Sequence, residues 1–153
     1  MCGLKLIGQD GALQLETAEK KELRAIERIC SEIRLSKGID SKLRAKLLAH
    51  FAARFENALG LIEKRRIRKY MFSPSGRVVW TVKGRKAEYQ VIPDSNFCSC
   101  DDYYFRVIDR KRQLCYHIIG QRLADALGSY VFEELPDSAY NKITERWHLP
   151  EEP

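Results

Sequence analysis

The first part of the chain carries apolar residues at the three- and four-residue spacing of amphipathic helices. This spacing predicts a first helix over Thr17–Arg34 with a charged outer face. Lys37-Gly38 should end that helix, because glycine readily adopts the positive φ that follows a helix C-terminus. The spacing resumes at Lys42 and continues to Arg68, which predicts one long second helix with a bend at Gly60. The two helices should pack as a hairpin.

Beyond residue 68 the pattern changes to short runs rich in β-branched and aromatic residues. The runs at 69–72, 78–82 and 87–92 are typical of strands. Turn-forming residues, including Gly76 and Gly84, separate them. These features predict a three-stranded antiparallel meander.

Three further helical segments follow the meander. The apolar spacing places them at about 101–109, 115–127 and 137–147, with Gly128 ending the second and Pro136 preceding the third. We therefore expect an α+β fold that combines an N-terminal helical hairpin, a small antiparallel sheet and a C-terminal helix.

The composition is that of a folded domain with an uneven charge. Of the 153 residues, 44% are hydrophobic and 31% are charged. No run of about 18 apolar residues is present, so no membrane span is expected. Residues 1–70 carry a net charge of +7, residues 71–125 carry +3 and residues 126–153 carry −4. This pattern suggests a polyanionic partner or an acidic tail over a basic face, although solubility alone explains the total of +6 equally well.

Three of the five cysteines and one histidine lie within a span of 20 residues. Cys98-x-Cys100 is followed, after 14 residues, by Cys115-x-His117. Three thiolates and one imidazole form a closed tetrahedral donor set for Zn²⁺ and leave no position for a catalytic water. The alternative, buried inert thiols beside a core histidine, explains the two matched pairs less well. Cys30 lies on the apolar stripe of the first helix and is expected in the core.

This ligand pattern and its surroundings resemble a known family. Cys-x-Cys, a spacer and Cys-x-His resemble the SWIM zinc finger, in which a ββα-type unit holds the metal. The runs Phe72–Arg77 and Leu114–Ile119 are similar to one branch, the small SWIM-domain partners of Rad51/RadA paralogues of the Shu complex type. The resemblance covers about residues 71–127. Asp101 and Tyr116 depart from the branch pattern without removing a ligand. By this resemblance the zinc ligands are Cys98, Cys100, Cys115 and His117.

The resemblance implies a non-catalytic, zinc-binding accessory factor in homologous recombination and DNA repair. Such a factor would be an adaptor for a RecA-fold recombinase paralogue, with direct DNA contact as a second role. No nucleotide-binding loop or nucleophile motif is present in the sequence. The alternative is a stand-alone SWIM-type nucleic-acid-binding module linked to transcription or transposition. The expected location is the cytoplasm at the nucleoid in a prokaryote, or the nucleus in a eukaryote.

Clusters of cations and aromatic residues are candidates for partner contacts. The cations could bind phosphates, or they could be solvated side chains that favour a helix C-terminus. Tyr103, Tyr104 and Phe105 could stack on bases, but we expect them in the core of the finger. Arg85-Lys86 in a hairpin turn could add contacts. The candidate nucleic-acid contacts are Lys64, Arg65, Arg66, Arg68, Lys69, Arg110, Lys111 and Arg112.

The chain divides into three expected parts. Residues 1–68 form the helical region, 69–128 the SWIM zinc-finger domain and 129–153 an acidic helix and tail. Two surfaces are candidates for protein contacts. One is an incompletely covered apolar stripe on the N-terminal helices. The other is the terminal helix, with Tyr140, Ile143 and Trp147 on one face.

Overall fold

Three helices form the N-terminal part of the molecule. The computed structural model describes residues 20–107 and 114–146. Helix α1 covers 20–36, α2 is Ser41–Phe51 and α3 is Ala53–Glu63. Asp40 caps α2, because its carboxylate accepts a 2.8 Å hydrogen bond from the Leu43 N–H. The first predicted helix is therefore confirmed over the part that is described.

The prediction of one long helix over 42–68 is wrong, because the chain breaks at Ala52. That residue has φ 49° and ψ −125°, α3 ends at Glu63, and Gly60 lies inside α3 rather than at a bend. A continuous helix would be about 40 Å long and would carry its second half past the core. The break instead turns the apolar faces of α2 and α3 into one core, where Leu47, Phe51, Phe55 and Ala58 are buried.

Five strands form one sheet in the order β4-β3-β2-β1-β5. The predicted meander is confirmed as the antiparallel pairs β1–β2 and β2–β3, and β4 extends it at one edge. The strands are β1 (Ile67–Ser73), β2 (Arg77–Lys83), β3 (Glu88–Ile92), β4 (Phe97–Cys98) and β5 (Val131–Pro136).

Strand β5 corrects the expectation of a three-stranded sheet. It lies parallel to β1, with Glu133 opposite Tyr70 and Leu135 opposite Phe72. Its partner is about 60 residues earlier in the chain, and helix α4 (Tyr116–Leu127) lies between them. Such a crossover is invisible in local spacing, because a parallel partner can lie anywhere upstream.

Helix α4 contributes to the main core between the N-terminal helices and the sheet. Ile118, Ile119 and Leu123 are completely buried there, and the left-handed Gly128 ends the helix as predicted. The apolar stripes of α1 and α2 belong to the same core, since Ile26 and Leu47 are both 0% exposed. The expectation that these stripes remain partly uncovered is therefore wrong.

Helix α5 (Tyr140–Arg146) packs on the opposite face of the sheet. Tyr140 and Ile143 contact a second small core formed by Tyr70, Phe72 and Val79. The terminal helix therefore folds back on the body, while Trp147 lies outside the described residues. None of the described helices combines the length and the apolar character that a membrane span needs.

Candidate metal centre

The two predicted ligand pairs meet at one buried point. The sulfur atoms of Cys98, Cys100 and Cys115 and a ring nitrogen of His117 all lie within 4.8 Å of one another. None of the four residues is more than 3% exposed. Tertiary folding has therefore joined two donor pairs, separated by 14 intervening residues, into a single Cys3His cluster.

The first pair lies where β4 ends. Pairing of Cys98 with Val91 sets the register of β4 against β3. Ser99 then locks the turn, because its N–H donates to the Gln90 carbonyl at 3.0 Å and its hydroxyl accepts from the Gln90 N–H at 3.0 Å. These bonds hold the backbone between the two cysteines, so that both sulfurs can approach one ion.

A turn around Cys100 leads into the next segment, a π-helical stretch at Tyr103–Val107. The Cys100 sulfur accepts a hydrogen bond from the Tyr103 N–H at 3.2 Å. The Cys100 carbonyl accepts another from the Tyr104 N–H at 3.2 Å. Backbone N–H groups directed at a cysteine sulfur stabilise its thiolate form.

The second pair lies at the start of α4. Cys115 is the N-cap residue, with extended backbone angles, and His117 is in the first turn. Arg54 of α3 holds this entry, since its guanidinium donates to the Leu114 carbonyl at 2.7 Å and also pairs with Glu22 of α1. Sequence reasoning missed Arg54, because a lone arginine on an exposed-looking helix position carries no local signal.

Arg122 ties α4 to the loop between β3 and β4. Its guanidinium donates to the Pro93 carbonyl at 2.9 Å and to the Asn96 side-chain oxygen at 2.6 Å. Asn96 is left-handed, with φ 52°. This contact holds α4 and the β3–β4 loop, which carry the two ligand pairs, together from outside the cluster. No sequence motif predicted it.

The cluster is electrostatically primed for a cation. Hydrogen bonds from the thiols of Cys115 and Cys98 lower the pKa of Cys100 far below its usual value. The hydrogen bond with Cys100 raises the pKa of Cys98, and the same neighbour raises the pKa of Cys115 to about 12. Zinc binds cysteine in its thiolate form, so a metal ion at this cluster would release the protons that its thiols carry.

The donor chemistry fits zinc. Both ring nitrogens of His117 are buried without a hydrogen-bond partner, although the ring packs against Tyr116 at 4.0 Å and Tyr89 at 4.9 Å. An orphaned buried imidazole is costly unless a ligand satisfies it. Tetrahedral zinc with bonds of about 2.3 Å to sulfur needs sulfurs about 3.8 Å apart, so the cluster must contract by less than about 1 Å.

The described members of the predicted cationic set have different surroundings. Arg68 pairs with Glu133 at 3.6 Å, and the Lys69 ammonium lies 5.2 Å from the Trp80 ring. Arg110, Lys111 and Arg112 lie outside the described residues. Lys64 and Arg66 lie near the turn between β2 and β3. There they line one small groove together with Arg85 of that turn and Tyr116 at the start of α4. Arg65, between Lys64 and Arg66 in sequence, is exposed.

The aromatic residues after Cys100 divide into two groups. Tyr103 packs on Phe97 at 5.2 Å and contacts the core. Tyr104 and Phe105, expected in the core, are 62% and 65% exposed and lie edge-on at 5.4 Å. The expectation is wrong for these two rings, because the turn anchored at Cys100 directs them away from the cluster.

Together, the β3–β4 turn and helix α4 build a buried Cys3His cluster of the kind that binds zinc in zinc fingers. The zinc finger SWIM domain-containing protein 7 homolog of Dictyostelium discoideum is 36% identical to the chain over 85 residues. The match covers 54% of this chain and 54% of that protein, so the matched stretch spans about half the length of each. No family model matches the chain, and no solved structure gives a significant match.

This similarity and the Cys3His cluster confirm the resemblance to SWIM zinc-finger proteins and the expectation of zinc as cofactor. The SWIM zinc finger is a non-catalytic binding module. The division of the chain into three parts stays a prediction.

Proposed function

We propose that this chain is a zinc-binding accessory factor in homologous recombination and DNA repair, without catalytic activity of its own. The observation that carries the proposal is the closed cluster of four buried protein donors at Cys98, Cys100, Cys115 and His117. A metal with four protein ligands and no access to solvent stabilises a fold rather than activating water. The biological process is inferred from the SWIM resemblance.

In this proposal the protein is an adaptor for a RecA-fold recombinase paralogue, whose ATPase would supply the motor activity. A cleft of about 470 Å³ between α1, α4 and the sheet supports a protein contact. Val78 and Ile92 expose apolar surface among its lining residues. Gln121, only 1% exposed, also lines it and has a side-chain oxygen without a partner. A partner residue with an N–H or O–H group could satisfy that oxygen.

Co-expression with each RecA-fold paralogue encoded by the same genome tests the adaptor role. We expect one paralogue to co-purify with the zinc-loaded chain, and Val78→Asp to abolish the complex because it places a charge in the cleft. Leu48→Asp on α2 is the matched control, since Val78 and Leu48 are 44% and 37% exposed. Capture of no paralogue, or equal loss in both variants, contradicts this adaptor surface.

Direct DNA contact is the second role, and it is the main role in the alternative of a stand-alone nucleic-acid-binding module. The exposed ring pair Tyr104–Phe105 supports it, because bases stack on exposed aromatic faces. The groove of Lys64, Arg66 and Arg85 supports it further. Among the described residues, these three cations make no ion pair.

A salt titration of DNA affinity tests this contact. For single-stranded DNA, each phosphate neutralised contributes about −0.7 to the slope of log affinity against log salt. We expect a steep slope for the wild type and weaker binding for Tyr104→Ala/Phe105→Ala. A flat salt response argues against DNA as a direct partner. Tight DNA binding combined with no paralogue complex favours the stand-alone module.

A further inference from the structure

The groove between α1 and α2 has a chemistry that the metal centre does not explain. It encloses about 460 Å³ and lies on the N-terminal helices. Four cationic side chains line it, together with His50 and a single acidic residue, Glu32. The cations are Lys21, Arg24, Arg28 and Lys46.

Helix α1 separates its charges between two sides. Lys21, Arg24 and Arg28 follow each other at three- and four-residue steps, so they share the face that lines the groove. Two of the three acidic residues in the described part of this helix lie elsewhere: Glu22 pairs with Arg54, and Glu27 lines the cleft beside α4. The third, Glu32, lines the groove and pairs with Lys46 of α2. The groove therefore receives three cations of α1 and one of its acidic residues, which pairs with Lys46.

Three of these four cations lack partners among the residues that the structure describes. Throughout residues 20–107 and 114–146, Lys21, Arg24 and Arg28 make no ion pair or side-chain hydrogen bond, and all three are exposed. Only Lys46 is neutralised, by Glu32 at 3.2 Å. Like charges at three- and four-residue spacing destabilise a helix. A bound anion would remove that repulsion.

The floor and length of the groove distinguish among anionic ligands. Ala25 and Ile29 form its floor and are 9% and 3% exposed, so these two side chains offer little surface to an acidic amphipathic peptide. From Lys21 to Arg28 the cations extend about 10 Å along the helix. Phosphates follow one strand of a duplex at an axial spacing of about 3.4 Å and lie farther apart in an extended strand, so two to four can lie along this row.

We propose that the α1–α2 groove binds the sugar–phosphate backbone of a single nucleic-acid strand without reading its sequence. The choice of nucleic acid among polyanions rests on the proposed function in DNA repair, whereas the affinity for polyanions follows from the groove itself. Lys21, Arg24 and Arg28 contact successive phosphates. The bases face solvent, since His50 is the only ring among the described residues that line the groove.

The test uses the full-length, zinc-loaded chain and a fluorescein-labelled strand of 15 thymidines, with anisotropy measured over a range of salt concentrations. Arg24→Gln/Arg28→Gln removes two groove cations. Lys42→Gln/Lys142→Gln is the matched control, because it removes two exposed cations elsewhere and leaves the same net charge. We expect the groove variant to reduce the steepness of the salt slope by about 1.4, while the control keeps the wild-type slope.

Equal slopes for the groove variant and the control would overturn the proposal. A 15-residue poly-glutamate peptide that displaces the strand at an equal concentration of charges would also overturn it, by assigning the groove to acidic peptides. Far-ultraviolet circular dichroism and zinc content confirm that both variants are folded. Co-purification of the recombinase paralogue should survive in the groove variant, so that failure of the groove and failure of the adaptor role are separate results.

Discussion

Removing one thiol from the Cys3His cluster should unfold far more than the finger. Cys98, Cys100 and Cys115 belong to the same hydrophobic core as the buried residues of α1, α2 and α3. Cys100→Ser removes one soft donor and leaves His117 buried beside an incomplete site. We expect loss of zinc and loss of most native structure, including at least residues 71–127.

The magnitude follows from comparing two free energies. Structural zinc sites in small fingers bind with an apparent free energy of ~10–16 kcal/mol. A whole domain is stable by ~5–15 kcal/mol. Loss of even half of the zinc-binding free energy therefore removes a large part of the free energy of unfolding. Loss of zinc also leaves one buried ring nitrogen of His117 without a ligand, which adds about 1–3 kcal/mol.

Zinc content by atomic absorption and urea denaturation followed by circular dichroism measure this effect. Cys30→Ser is the matched control, because Cys30 is equally buried but lies outside the cluster, where its thiol contacts the Arg122 carbonyl at 3.5 Å. We expect the control to bind one zinc ion and to lose about 1 kcal/mol. Stoichiometric zinc and a wild-type urea midpoint in Cys100→Ser would refute the ligand assignment. Amide protection that persists in α1 and α2 while α4 unfolds would refute the single core.

Three further predictions concern the scaffold. Gly60→Ala should stabilise the protein by up to about 1 kcal/mol, because an added methyl group in α3 meets no atom within 4 Å. Gly120→Val should destabilise it by about 1–3 kcal/mol, because a Cβ there already lies 3.3 Å from the Ile67 side chain. Ala52→Gly should raise the unfolding free energy by about 1 kcal/mol, since the positive φ of 49° is unfavourable for alanine. Burial raises the pKa of Cys30 to about 11, so the unfolding free energy should fall between pH 9 and 11, where only the unfolded chain ionises this thiol.

Urea denaturation checks all three scaffold predictions and the pH dependence. Ala49→Gly inside α2 is the control for Ala52→Gly and should lower stability by about 1 kcal/mol. A loss of stability in both alanine variants would contradict the strain assigned to Ala52. Equal effects of the two glycine substitutions would contradict the tight α4 crossing at Gly120. Cys30→Ala should remove its share of the alkaline loss, and an unchanged pH profile would contradict the burial argument.

Local spacing was sufficient for the elements that depend on neighbours in sequence. The periodicity of α1, the β-branched run of β2 and the glycine that ends α4 each reflect interactions within a few residues. The four metal donors were also predictable, because thiolates and imidazole in two closely spaced pairs satisfy one ion and few other roles. The residue types in such a pattern are enough to predict that it binds a metal ion.

Tertiary structure decided the rest, because those features depend on what lies across the molecule. The break at Ala52 follows from the need to bury both halves of one apolar stripe in a single core. Strand β5 forms by pairing with β1 about 60 residues away. Arg54 of α3 bonds to Glu22 of α1 and to the Leu114 carbonyl, and folding alone brings these groups together. Arg68 and Lys69 are neighbours in sequence but have different partners, since a strand directs successive side chains to opposite faces. Residue types therefore established the metal chemistry, and long-range packing established which surfaces surround it.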